Sequence, residues 1–100
     1  MSYVYLLHFD SPIAPGRHTT QHYTGRYGGG SGCAKLCAVA HERGIGFTVA
    51  RLWRGGYDLE RRLKGAKAGR RLCPVCGRPL PIRYADEVPA GEIEELLLAF

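Results

Sequence analysis

No run of apolar residues in this chain approaches the ~20 that a membrane-spanning helix requires. Its first residues also lack the basic segment and long apolar stretch of a secretory signal. A membrane role is thereby disfavoured and a cytoplasmic location is expected. Acidic residues are scarce over most of the chain: five of the nine are Asp86, Glu87, Glu92, Glu94 and Glu95, so residues 1–83 hold all fourteen Lys and Arg against four acids. A body with that surplus of positive charge suits a polyanion such as nucleic acid, with DNA the expected partner, rather than an acidic protein. There is no internal repeat, and one hundred residues make a single fold unit with a modest core that a metal staple would help. In a reducing compartment, four cysteines are more readily thiols or metal ligands than disulfides.

The elements that are present are short. Tyr3-Val4-Tyr5-Leu6-Leu7-His8-Phe9 has no breaker and reads as a buried strand, with Tyr3 and Tyr5 on one face. A Pro- and Gly-containing loop follows, and Gln21-His22-Tyr23-Thr24 reads as a second strand ended by Gly25, pairing with the first as a hairpin. Arg26 to Gly32 is a glycine-rich connection. The next helix is predicted up to His41, with Ser31 as N-cap and Gly44 as the stop. Phe47 to Trp53 alternates as a strand, in which Trp53 is a core plug before it is a base-stacking platform. A helix from Tyr57 to about Lys67 comes next, then a basic turn and Cys73-Pro74-Val75-Cys76-Gly77. Three prolines predict an extended or irregular path over 79–89, and Ile93, Leu96, Leu97 and Phe100 mark a final amphipathic helix. Its acidic side is available to a protein partner. The chain therefore divides into a body, 1–78, and a Pro-containing segment with an acidic helix, 79–100.

Two groups of residues carry chemistry. Between Arg51 and Arg71 stand eight Lys and Arg but only two acids, one of which is Glu60, four residues before Lys64. A single carboxylate in so basic a surface can hold a divalent cation against a phosphate, or simply pair with Lys64 one turn on. Arg26, Arg51, Arg54, Arg61, Arg62, Lys64 and Lys67 are the candidate phosphate contacts. The second group is the Cys-Pro-x-Cys-Gly run, whose tight turn can point the sulfurs of Cys73 and Cys76 at one metal. Cys33 and Cys37, one helical turn apart, would complete a four-thiolate structural zinc site. Cys37 with His41 is the variant, and buried thiols without metal are the alternative.

Taken in order, Val4-Tyr5 with Leu6 behind it, Tyr23-Thr24-Gly25, and Glu60 followed by Leu63-Lys64 resemble the GIY-YIG endonuclease superfamily in a small, free-standing form, over roughly residues 3–76. The resemblance implies an α+β fold with a small three-stranded antiparallel sheet flanked by helices. It also implies endonuclease chemistry, the hydrolysis of a phosphodiester with one magnesium or manganese ion. On this reading Tyr5 is the general base or the positioner of the attacking water, Tyr23 lies near the scissile phosphate, and Glu60 is the metal ligand. The family's first helix carries a phosphate-binding arginine; aligning its histidine with His41 puts Cys37 in the arginine's place, and Arg26, Lys35 and Arg43 are the cations that could substitute. The chain has no asparagine for the amide some members carry after the glutamate helix. Two functions follow: a metal-dependent nuclease, or a non-catalytic nucleic-acid-binding module of the same fold stapled by zinc.

Overall fold

The strand β1 (Tyr3–Phe9) runs through the middle of the molecule, and all seven of its residues are buried. An unbroken apolar run of this kind is what a strand needs when both faces of its sheet are covered. The computed structural model describes residues 2–11, 21–26, 40–65 and 69–98. Within them follow β2 (His22–Arg26), β3 (Phe47–Arg54), α1 (Tyr57–Gly65), α2 (Gly69–Leu72), β4 (Asp86–Glu87) and α3 (Ala90–Leu98), an α+β arrangement. The sheet order is β2-β1-β3-β4 and every neighbouring pair is antiparallel.

The sheet thus has four strands among the described residues, where three are expected from the sequence. The addition is β4, whose Asp86 and Glu87 pair with Arg54 and Trp53 inside the segment predicted to be irregular. Its two residues need little ladder, and as the outermost strand in the order it tolerates Pro81 and Pro89 on its flanks. The segment after residue 78 also joins the common core. The Val88 N–H donates to the Leu52 carbonyl at 2.8 Å, and Val88 and Ile93 pack with Tyr3, Tyr5, Leu7, Phe9 and Leu52.

Strand alternation sorts the core into two layers. The odd residues of β1 form the layer just named, under α3. The even residues Val4 and Leu6 face Trp53, Leu63, Leu72 and Cys73, with Leu59 packed against them, so α1, α2 and the start of the cysteine turn cover the opposite side. A register shift between Leu6 and Leu7 leaves Ala50 of β3 unmatched, because Arg51 pairs with Leu6 and Val49 with Leu7. Such a bulge reverses the parity of the strand. Val49 and Leu52 consequently share one layer, while Trp53 lies in the other, fully buried as a core plug.

Helix α1 is marked by its charges: Asp58 and Glu60 stand in its first turn and Arg62 and Lys64 in its last, matching the helix dipole at both ends. The helical turn at residues 40–42 ends as predicted at Gly44, which takes the left-handed φ of 67° that glycine adopts without steric penalty. The expected start of that helix at Ser31 lies outside the described residues. No described helix is long and apolar enough to cross a membrane.

Candidate functional site

His8 of β1 stands directly opposite His22 of β2. The Phe9 N–H donates to the Gln21 carbonyl at 2.8 Å, so the next pair along, His8 and His22, occupies a non-hydrogen-bonded position, where cross-strand side chains approach most closely. Their Nδ1 and Nε2 atoms are 3.2 Å apart. Onto this pair the turn after α2 lowers its two cysteines. Cys73 Sγ lies 3.5 Å from His8 Nδ1, and Cys76 Sγ lies 3.6 Å from the same nitrogen and 3.3 Å from His22 Nε2. All four ligand atoms fall within 4.8 Å of one another, a group that can hold a metal ion. Cys73 and His8 are buried, and Cys76 is the exposed member. Two sulfurs and two imidazole nitrogens converging in this way form a donor set of the kind that suits a zinc ion when the thiols are deprotonated.

The cysteine turn is held in place by an arginine. Arg51, expected on the phosphate-facing surface, is instead 5% exposed. Its Nη1 donates to the carbonyls of Leu80 at 2.7 Å and Leu72 at 3.3 Å, the residues on either side of the Cys73–Pro79 segment. Its Nε donates to Glu87 Oε2 at 2.8 Å, its Nη2 donates to the other Glu87 oxygen, and the guanidinium stacks 4.8 Å from the Trp53 ring centre. The bulge at Ala50 sets Arg51 opposite Leu6, in the layer of Leu6 and Trp53 and not that of Val49, and there the cysteine turn covers it. The Leu80 N–H donates to the Arg71 carbonyl at 3.0 Å and closes the same loop.

The residues singled out by the GIY-YIG resemblance meet around β2 and α1. Tyr5 and Tyr23 are edge to face with ring centres 6.3 Å apart. Tyr5 lies opposite Gly25, and a Cβ there would stand only 2.5 Å from the Tyr5 hydroxyl, so the ring rests on a bare backbone. Lys64 Nζ sits 5.3 Å from the Tyr23 ring centre and 3.6 Å from Glu60 Oε2. Arg26 Nε approaches the other Glu60 oxygen at 3.6 Å; that nitrogen is buried and has no hydrogen-bond partner. The Glu60 side chain is 14% exposed. Tyr5, Tyr23, Lys64, Glu60 and Arg26 are thus joined by one string of contacts.

Arg61 and Arg62 are exposed on α1, whereas Arg54 pairs with Asp86 at 3.4 Å. Lys67, Cys33, Cys37 and Lys35 lie outside the described residues. Among the described residues the completion of the Cys73–Cys76 pair is His8 and His22, neither of which sequence reasoning named as a ligand. The signal was present, since a hairpin closed symmetrically across the long loop sets these histidines face to face. Comparison with family models, with curated proteins and with solved structures finds no match to this chain, so its functional reading rests on this geometry.

Proposed function

We propose that the protein is a metal-dependent phosphodiesterase of GIY-YIG type, an endonuclease acting on nucleic acid and on DNA in the first instance, with a structural zinc ion as its staple. The observation that carries the catalytic part is the single string of contacts through Tyr5, Tyr23, Lys64, Glu60 and Arg26, drawn from β1, β2 and α1. Both cations stand 3.6 Å from Glu60, beyond hydrogen-bond length, so the carboxylate keeps its lone pairs for a hydrated divalent ion. Magnesium or manganese held by Glu60 supplies Lewis-acid neutralisation of phosphate charge. Arg26 takes the part of the arginine missing from the family's first helix: its buried, unsatisfied Nε beside Glu60 is a donor in want of an anion. Lys64 adds a second positive charge, Tyr23 faces the phosphate, and Tyr5, seated on Gly25 beneath it, positions the attacking water.

For the staple, zinc fits the donor set. A tetrahedral ion ~2.3 Å from sulfur and ~2.0 Å from nitrogen separates S from N by about 3.5 Å and N from N by about 3.3 Å. Four of the six separations, 3.2 to 3.6 Å, lie close to those figures, and all lie within 4.8 Å. With two histidines and two cysteines the coordination is closed, which is the structural rather than the catalytic form.

The test is nicking of supercoiled plasmid with added magnesium, comparing the native chain with Glu60→Gln. Loss of cleavage in the variant is the expected result, and equal cleavage would overturn the assignment of Glu60. A second reading, binding without cutting, is favoured by the two cations on Glu60, which a purely structural acid would also gather. It predicts salt-dependent binding and no nicking by either protein.

A further inference from the structure

Around α1, at about 100° per residue, Leu59 and Leu63 point to the core, and Glu60, Lys64, Tyr57, Arg61, Asp58 and Arg62 follow in turn around the outside. Two tyrosines border that outer surface and are largely open to solvent, Tyr57 at 56% and Tyr84 at 51% exposure. Each carries arginine on its ring. Arg62 lies 4.3 Å from the centre of Tyr84, and Arg26 and Arg61 each lie 5.7 Å from the centre of Tyr57. Arg61, Arg62 and Tyr84 line an open cleft of about 580 Å³ together with Asp58 and Leu59. From there Arg61 leads over Tyr57 to Arg26 and so to Glu60.

We propose that this strip is a docking surface for unpaired nucleotides, with bases stacking on Tyr84 and Tyr57 and the backbone passing along Arg62, Arg61 and Arg26 toward Glu60. The proposal rests on the nucleic-acid reading above and adds a substrate class to it, single-stranded or frayed nucleic acid. Core packing does not require a half-exposed tyrosine, whereas a ring with guanidinium on one face, as Arg62 lies on Tyr84, offers the other face to a base, and a guanidinium plane, as of Arg61 beside Tyr57, is itself a stacking surface. Alternation of aromatic and cationic groups is what a single strand, with its bases and phosphates both accessible, can satisfy; a duplex offers only its phosphates to the same strip. Among the described residues Asp58 is the one acid lining the cleft, and Asp86, two residues beyond Tyr84, is paired with Arg54. The charge facing the ligand is therefore positive.

The experiment measures the anisotropy of a fluorescent thymidine oligonucleotide and of a duplex of equal length, at one salt concentration, with zinc-loaded Glu60→Gln protein so that no cleavage intrudes. The single strand is expected to bind more tightly by about tenfold, a little over half a decade to two decades being the range one stacked base supplies. Tyr57→Ala and Tyr84→Ala should each weaken the single strand about 5- to 150-fold and leave duplex binding within about twofold, since the phosphate contacts persist. Tyr84→Phe should retain the preference, because the ring and not the hydroxyl is used. Unchanged melting temperatures check that the variants fold. Equal affinity for strand and duplex, equal loss of both in the alanine variants, or equal binding of a polyglutamate peptide would each overturn the proposal. Absence of the preference while the native chain nicks plasmid removes this surface alone; its presence without nicking removes the nuclease reading and leaves the surface standing.

Discussion

Arg51 shows at the residue scale how one side chain links the fold to the candidate metal centre. It is buried, holds Glu87 through two nitrogens and donates to the carbonyls that bracket the cysteine turn. Removing it strands two carbonyls and a carboxylate whose partner was internal. Arg51→Leu should therefore cost roughly 3 kcal/mol in urea denaturation, toward the lower end for a broken buried pair because Glu87 is partly open to water. Arg51→Lys should recover little, since an ammonium cannot span both carboxylate oxygens and both carbonyls. A loss below about 0.5 kcal/mol, the size of an ordinary surface substitution, would show that the clamp contributes nothing. Gly25 makes the complementary case, because its lack of a side chain is what seats Tyr5. In Gly25→Ala the new methyl would meet the Tyr5 hydroxyl at 2.5 Å and ring carbons at 2.7 and 2.9 Å, so the ring must move. A stability loss of about 1–3 kcal/mol is expected, together with reduced plasmid nicking; full activity with unchanged melting would dissociate Tyr5 from the site.

Among the elements, β2 depends on its connections. It has five residues and is the outermost strand in the order, with β1 as its sheet neighbour, and the group of His8, Cys73 and Cys76 meets it at His22. Zinc binding should thus contribute to the folding of this hairpin as well as to that of the cysteine turn. Elemental analysis should find one zinc per chain, lost in His22→Ala and Cys73→Ser. Hydrogen exchange after chelation should quicken first in residues 22–26 and around Cys73 and Cys76, while the buried part of β3, Arg51–Trp53, stays protected. Uniform quickening across the sheet, or protein without zinc and fully protected, would contradict this. The same elements show what a sequence can disclose. The strands β1 and β3 and the helices α1 and α3 are written in local apolar patterns, so their existence is legible. The strand β4 has two residues and no pattern, and only its partner β3 creates it. His8 and His22 come face to face through strand pairing, and Arg51 is buried because Leu72 and Leu80, on either side of the cysteine turn, close over it; neither is a property of neighbouring residues in the chain.

For the whole molecule, the charge that matters is smaller than the composition implies. Residues 1–83 hold fourteen Lys and Arg against four acids, but the acids Asp86 and Glu87 reach back to Arg54 and Arg51 across the β3–β4 ladder. They neutralise cations of the body instead of forming a separate acidic tail. Of the basic residues proposed to meet phosphate, Arg61 and Arg62 on α1 are exposed, and Lys64 and Arg26 stand beside Glu60. The dependence of duplex affinity on salt should report this division. If each phosphate contact releases one counterion, the slope of log Kd against log salt should shrink by about 0.9 for each cation removed from the interface. Arg61→Ala, Arg62→Ala and Lys64→Ala should each show that decrement whatever the DNA sequence. Arg54→Ala should show less, because its charge is already met by Asp86, and Arg51 variants should change stability with no separate effect on the slope. Glu60→Ala should bind as tightly as the native chain or more so, since it removes a negative charge from the strip. Affinity indifferent to salt in the native protein would argue against phosphate recognition altogether. Equal decrements from Arg51, Arg54 and the α1 cations would mean that charge acts as a diffuse cloud and that the basic strip along α1 has no special place.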